Sequence, residues 1–427
     1  MNGIRHHYVP AFDGLRALAI LPVIGLHVAV ASLPAHGLRN ELMRGWYGVD
    51  LFFVLSGFLI TWLLIEEMET TGTLSLSRFY SRRFLRLGPA YISTLLMIVV
   101  GAAILHPEAL RKIPLVAPAL LTYTYNYELA LKGPHVDLIV VVWSLCVEEQ
   151  FYLLWPWLFR RLGSDRAFYF CAGAIVVLAL YRSGLYLWLN WGHLAAPSPA
   201  SQIRIYFSTD TRIDVIMAGC LAALSLRHHT TRGLWKRLGR WRLFPYAAAA
   251  LALACVAWCT GGSSSSASLR SATLGYTISA LAVAGMIVAL FTRPDSLLAR
   301  TLSRPSLVTL GKTSYGMYLF HLAIAWGVFH LLTPGVWSHI ASRMSDPGLL
   351  GSALPVSEAT LVPVCNTLSD ASSLLANDST LKFAIAITAI ALLAFVLAWL
   401  HFELVERRFM AMRPRVAFRA ALPGRET

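Results

Sequence analysis

Charge is scarce in this sequence. Asp, Glu, Lys and Arg make up 14% of its 427 residues, against roughly 25% in soluble domains. So few charges cannot coat a water-facing surface, which excludes an ordinary soluble protein. A lipid-facing surface needs no such coat. Acidic residues are scarcer than basic ones, giving a net charge of +14 and a pI near 9.8. Such a surplus of base sometimes marks a nucleic-acid partner. That reading fails where Lys and Arg sit in short loops between apolar spans, because orientation in a bilayer requires them there. No nucleic acid is therefore expected. Cysteines are few: six, with no CxxC and no metal-binding spacing, so no metal site is expected. All but Cys365 lie in or near apolar segments and read as small core residues. No internal repeat is present, so an inverted-repeat transporter gains no support. No cleavable signal peptide is evident, since the first apolar stretch is long and carries charges.

What is abundant is apolar: 57% of residues, with a mean hydropathy of +0.60. A membrane-spanning helix needs about 20 such residues. Ten stretches qualify, near 12–33, 46–65, 87–105, 138–159, 167–189, 212–226, 243–260, 271–292, 305–332 and 382–402. The sixth is short and the fourth is interrupted by polar residues. With the N-terminus placed in the cytoplasm, 23 Lys and Arg fall on the cytoplasmic side and 8 on the other. That bias predicts an all-α, polytopic bundle of about ten spans with both termini cytoplasmic. The membrane domain is expected over 1–410, followed by a basic cytoplasmic tail at 411–427. No attached soluble catalytic domain is expected. Gly261–Ser266 reads as a flexible outer turn. The outer loop 333–380 is too long for a simple connector. It either covers the mouth of a site or has no structure of its own.

Polar residues inside spans are costly, so each is a functional candidate. The first span, FDGLRALAILPVIGLHVAV, carries Arg16 and His27. Eleven residues separate them by about 16 Å along a helix axis, close to three turns, so both project from one face. They either line one conduit or are a snorkelling Arg and a packing His. Pro22 between them is placed to bend the helix. Asp50 lies just inside the outer end of the second span, at a depth comparable to His27. An unpaired carboxylate there is expensive, so Asp50 is either a structural anchor or the orienter of a catalytic imidazole. In the loop SRFYSRRFLRLGPAY, Arg78, Arg82, Arg83 and Arg86 are either ordinary inner-side charge or a phosphate site, since guanidinium groups bind phosphate bidentately. The fourth span, VVWSLCVEEQFYLLWPW, packs Glu148 and Glu149 beside Trp143, Ser144, Gln150 and Tyr152. Packing alone does not account for paired carboxylates at that depth. In the ninth span Tyr315, Tyr318 and His321 recur on roughly one stripe. Arg212 and Asp214 are expected to pair with each other, and Glu406 with nearby basic groups.

Taken together, these segments resemble the acyltransferase-3 family of membrane O-acyltransferases. The likeness rests on FDGLRALAILPVIGLH, GWYGVDLFFVLSGFLI, FYSRRFLRLGPAY, WSLCVEEQFYLLWP, TRIDVIMAG, SYGMYLFHL and LVERRF, seven motifs in order over nearly the whole chain. The resemblance implies ten transmembrane helices in a bacterial inner membrane. It implies acyl-CoA, most simply acetyl-CoA, as a cytoplasmic donor substrate, with no permanently bound cofactor. It further implies that Arg16 and His27 are essential, that Arg83 and Arg86 form the family's Arg-x-x-Arg pair, and that the acceptor is a hydroxyl of a carbohydrate or glycolipid at the outer face. Some relatives carry a fused extracytoplasmic esterase-like domain. None is expected here, so transfer is either direct or completed by a separate extracytoplasmic transferase. The expected machinery is His27 as base, Arg16 at the thioester, Glu148 or Asp50 orienting His27, and Arg82, Arg83 and Arg86 on the coenzyme A phosphates. Trp143, Tyr152, Tyr318 and His321 are expected to line the substrate path. A variant route passes through acylated Tyr152 or Ser144. The rival readings are a transporter or flippase of a lipid-linked glycan or small ion, and a non-catalytic scaffold.

Overall fold

The computed structural model describes residues 8–33, 37–105, 107–133, 139–194, 197–261, 268–331 and 379–412. Three sequence expectations lie outside these residues: the loop at 333–380 save its last two residues, the turn Gly261–Ser266 beyond Gly261, and the basic tail from residue 413. Cys365 lies outside them too.

Among the described residues every regular element is helical. The principal helices are α1 (Pro10–Ser32), α2 (Tyr47–Thr71), α3 (Leu76–Leu105), α4 (Pro107–Leu121), α5 (Tyr125–Lys132), α6 (Val142–Leu189), α7 (Pro199–Phe207), α8 (Ile213–Ser225), α9 (Phe244–Thr260), α10 (Tyr276–Thr292), α11 (Pro305–Leu331) and α12 (Ser379–His401). Six helical stretches are long and apolar enough to cross a membrane by length and composition: Pro10–Val30, Leu38–Thr71, Leu76–Val100, Val142–Leu189, Ser271–Thr292 and Thr380–Ala411. Two shorter helices, Ile213–Ser225 and Phe244–Thr260, are also apolar. The chain is an all-α, multi-pass membrane protein.

Local sequence explains the helix limits. Pro10 opens α1, where its missing N–H is no loss, and Asp13 faces the positive end of the helix dipole. Gly72 ends α2 in the left-handed conformation (φ 70°). Within the 48 residues of α6, Gly163 has φ 70° and ψ 173° and breaks the helix in two. This break separates the two apolar stretches expected at 138–159 and 167–189.

Helix packing follows the rule for membranes, where small residues let backbones approach because apolar burial gives no advantage over lipid. α2 and α8 touch through Gly57 and Gly219. A Cβ on Gly57 would collide with the Ile216 carbonyl, and one on Gly219 with the Val54 carbonyl. These helices, with α1 and α10, form the buried centre. α3, α6, α9 and α12 turn large apolar side chains outward, among them Leu96, Leu153, Leu180, Leu253 and Leu392. α11 lies against α1 and α12, which brings the Tyr315–Tyr318–His321 stripe to the Arg16–His27 helix.

Candidate active site

Two cavities flank α1. The lower, of about 570 Å³, lies at the Arg16 end. The upper, of about 520 Å³, lies at the His27 end. Val49 and Tyr318 line both. The Tyr318 hydroxyl is fixed in that shared wall, donating to the Val141 carbonyl (2.9 Å) and meeting the Ser144 hydroxyl (2.7 Å).

The lower cavity collects charge of both signs: Arg16, Arg83, Arg86 and Lys312, with Asp13, Glu66, Glu148 and Glu406, all line it. Arg86 and Lys312 are exposed, whereas Arg16 and Arg83 are half-buried. Asp13 holds Arg16 by a 2.6 Å hydrogen bond from Nη1, and its other oxygen accepts from the Tyr8 hydroxyl at 2.5 Å. The Arg83 guanidinium lies 3.5 Å above the Tyr152 ring centre, with Nε 3.9 Å from Glu149 Oε1. The Ser56 and Tyr152 hydroxyls pair with each other and with the Glu148 carboxylate. One guanidinium thus serves two carboxylates and a tyrosine, a compact network that offsets the cost of burying each charge.

The upper cavity is mostly aromatic and apolar. Trp46, Trp143, Tyr206, Phe207 and Tyr318 line it, with His27 as its titratable imidazole. His27 Nδ1 lies 2.8 Å from the Val23 carbonyl, an acceptor, so Nδ1 carries the proton. The same nitrogen lies 3.2 Å from Nε2 of His321, which shares that proton. His321 in turn donates from its own Nδ1 to the Tyr318 carbonyl at 2.7 Å. One tautomer of each ring satisfies all three contacts. It leaves the lone pair of His27 Nε2 without a protein partner among the described residues, the state a general base requires.

The expected site residues therefore divide. Arg16, Arg83, Arg86, Glu148, Tyr152 and Tyr318 meet around the lower cavity; His27 and Trp143 stand at the upper one. Four expectations change. Glu148 does not orient His27, because Ser56, Tyr152 and Arg83 engage it. Asp50 does not orient it either. Asp50 is paired with the fully buried Arg212 and lines neither cavity, so the anchor reading is the one its contacts support. His321 lies behind His27 rather than along a cavity wall, and takes the orienting place given to the carboxylates. Arg82 leaves the phosphate set: its Nη2 donates to Glu67 at 2.8 Å, away from the cavity. The pairing expected between Arg212 and Asp214 is also exchanged for two interhelical ones, Arg212 with Asp50 and Arg182 with Asp214 at 2.7 Å. Glu406 takes His401 (3.2 Å) as its basic partner. Sequence reasoning missed Tyr8, Asp13, Ser56 and Lys312. Asp13, inside the motif FDGLR and one helical turn before Arg16, was the findable one.

Cationic side chains thus gather at one cavity and a half-buried histidine stands at the other; the comparison of sequences gives the class. The acyltransferase-3 family profile, described as an acyltransferase domain, matches residues 9–402, so the chain belongs to that family. It is similar to the peptidoglycan O-acetyltransferase OatA of Listeria monocytogenes, at 30% identity over 349 residues covering 78% of this chain and 52% of the relative. It is also similar to the O-acetyltransferase OatA of Staphylococcus aureus, at 28% identity covering 74% of this chain and 50% of the relative. The chain spans about half the length of these curated relatives. No solved structure matches it.

Proposed function

We propose that this protein is an O-acetyltransferase, moving an acyl group, acetyl in the simplest case, from cytoplasmic acyl-CoA to a glycan hydroxyl on the other side of the membrane. The observation that carries the proposal is the shared Tyr318 wall. It separates a cavity suited to an anionic donor from a cavity holding an imidazole with a free lone pair.

In this reading the Arg16 end faces the cytoplasm. Exposed Arg86 and Lys312 meet the coenzyme A phosphates, as cations at a cavity mouth suit a polyanion. Arg16 lies deeper and guides the pantetheine arm towards Tyr318. Arg83 is already shared by Glu148, Glu149 and Tyr152, so its role is to hold that group beside the arm rather than to take a phosphate. The acceptor hydroxyl enters from the upper cavity and gives its proton to His27 Nε2. Its oxygen attacks the thioester carbonyl carbon. The C–S bond breaks, and the departing thiolate takes the proton back from His27. While His27 is cationic, its Nδ1–H points at the neutral His321 Nε2 and at the Val23 carbonyl, two acceptors that stabilise the charge. The aromatic walls keep water sparse and favour transfer over hydrolysis.

The Listeria relative's name makes cell-wall glycan the first acceptor to test. A separate extracytoplasmic transferase remains an available partner for the last step. The experiment is a proteoliposome assay with acyl-labelled acetyl-CoA supplied on the Arg16 side and a glycan acceptor on the other. Label on the acceptor that requires His27 supports transfer. Movement of unlabelled glycan without acetyl-CoA would mean the transporter reading instead.

A further inference from the structure

Away from both cavities, three side chains come together where the break in α6 meets the loop after α8. Asp165 follows Gly163 by two residues, and His228 and His229 lie in that loop. One ligand atom from each lies within 4.8 Å of the other two. His228 is the decisive member. It is buried to 3% exposure, and its Nε2 is shielded from solvent with no hydrogen-bond partner. The nearest charge to that nitrogen is Asp165 Oδ1, at 3.8 Å. A buried, unsatisfied imidazole nitrogen costs free energy, so its placement calls for a partner.

The ring is also held in place. Phe168 stacks on it at 4.0 Å with planes 12° apart, and Tyr169 meets it edge-on at 5.1 Å. His228 Nδ1 lies 2.8 Å from the Thr230 hydroxyl. The Thr230 N–H also approaches Nδ1, at 3.4 Å; with an ion on Nε2 the ring takes the tautomer whose Nδ1 donates to the Thr230 hydroxyl, the outer oxygen usual for a metal-bound histidine. The loop itself is tied down. The Thr231 hydroxyl donates to the Ser225 carbonyl at 2.6 Å, and Arg232 N–H donates to the His228 carbonyl at 3.0 Å. Asp165 and His229 are exposed, so their side chains are free to close on an ion.

We propose that Asp165, His228 and His229 bind a divalent transition-metal ion, zinc by ligand chemistry, which clips the break in α6 to the loop after α8. Two imidazoles and one carboxylate favour zinc-like ions over magnesium or calcium, which take oxygen ligands. Three protein ligands leave a fourth tetrahedral position for water. Ligand atoms on a tetrahedral zinc stand about 3.3 Å apart, so the cluster needs only a small inward rotation of the two exposed side chains. The absence of a CxxC or other cysteine spacing had argued against any metal. The ligands instead come from α6, just past its break, and from the loop after α8; Asp165 and His228 lie 63 residues apart in sequence.

The test uses the full-length protein, purified in detergent by a tag without histidines and stripped with a chelator. Titration with zinc, and with cobalt as a spectroscopic probe, should give about one bound ion per chain, with visible cobalt bands of tetrahedral intensity. Asp165→Asn, at an exposed position, should fold normally and bind at least about tenfold more weakly; Thr230→Ala should weaken binding by roughly tenfold to a hundredfold. His228→Ala should lose the ion. Zinc should raise the unfolding temperature of the unaltered protein and not of Asp165→Asn, while magnesium does neither. No bound ion, or equal binding by the unaltered protein and Asp165→Asn, would overturn the site. The second result would leave His228 and Asp165 as a simple ion pair.

Discussion

Two buried polar clusters in this bundle look alike in sequence and differ in structure. One is the His27–His321 dyad; the other is the quartet Asp50, Arg212, Arg182 and Asp214. Both lie among apolar helices, and both carry groups that lipid would not tolerate alone. The quartet is paired within itself, although Asp50 Oδ2 and Arg212 Nε and Nη1 make no hydrogen bond. Asp50 pairs with Arg212 and Arg182 with Asp214, with Arg182 also donating to the carbonyls of Ala272, Thr273 and Thr211. Tyr276 covers Arg212, its ring centre 3.7 Å from the guanidinium carbon. No member of the quartet lines either cavity. The dyad is open at one atom: both nitrogens of His321 and Nδ1 of His27 are engaged, while His27, which lines a cavity, has no protein partner for Nε2 among the described residues. Cost alone therefore does not mark function in a membrane. Access does. A buried charge with its partner fixed holds helices together, while a neutral base with a free lone pair beside a cavity is equipped for chemistry.

The comparison breaks most sharply at its two ends. His27→Ala should slow acyl transfer by about 10²–10⁴-fold while leaving thermal unfolding in detergent unchanged. Retained turnover by the folded variant would remove the base assignment. Asp50→Ala should do the opposite. It leaves Arg212 buried and unpaired, at a cost of about 3–5 kcal/mol, seen as a lowered unfolding temperature and poor yield. Replacing Asp50 and Arg212 together by apolar residues should recover most of that loss. If His27→Ala unfolds and Asp50→Ala does not, the two clusters have been assigned the wrong way round.

Smaller effects sharpen the same contrast. A hydrogen bond to a charged group is worth about 1.5–3 kcal/mol, so His321→Ala should lower kcat roughly tenfold to a hundredfold with the KM for acyl-CoA unchanged. His321→Gln, which keeps an acceptor, should restore much of the rate. A loss confined to KM would return His321 to the substrate path. In the lower cavity, Arg86→Ala should raise the KM for acyl-CoA several-fold. Arg82→Ala, which breaks a partly exposed pair with Glu67 worth about 0–1 kcal/mol, should leave that KM alone.

Much of the architecture was legible because it depends on local rules. Apolar stretches near the needed length mark helices: each of the ten expected stretches overlaps a helix, and six helical stretches among the described residues are long and apolar enough to cross a membrane. The gap expected between the stretches 138–159 and 167–189 holds Gly163, where α6 breaks. Arg16 and His27 stood out because each is a polar group in a costly place, whereas Arg83 and Arg86 were marked as a pair by the family resemblance. Partner choice was not legible. Arg212 and Asp214 are two residues apart and invited a local pair, yet residues i and i+2 on a helix face away from each other. Glu148 looked like the orienter of His27 because both are deep and polar, but α6 turns Glu148 to Ser56 and Arg83.

By itself the sequence determined the class of this protein: a helical membrane bundle of the acyltransferase-3 family with arginines at one end of α1 and a histidine towards the other. Those properties follow from composition, period and motif, which are set along the chain. Only the tertiary structure decided that Asp50 anchors, that His321 supports His27, that Arg82 stands aside, and that Asp165 meets His228. Each of those facts depends on which helix faces pack together. Packing is a contest among many interhelical contacts, settled by close approaches such as Gly57 to Ile216 and Gly219 to Val54, and no short stretch of sequence contains both sides of such a contact.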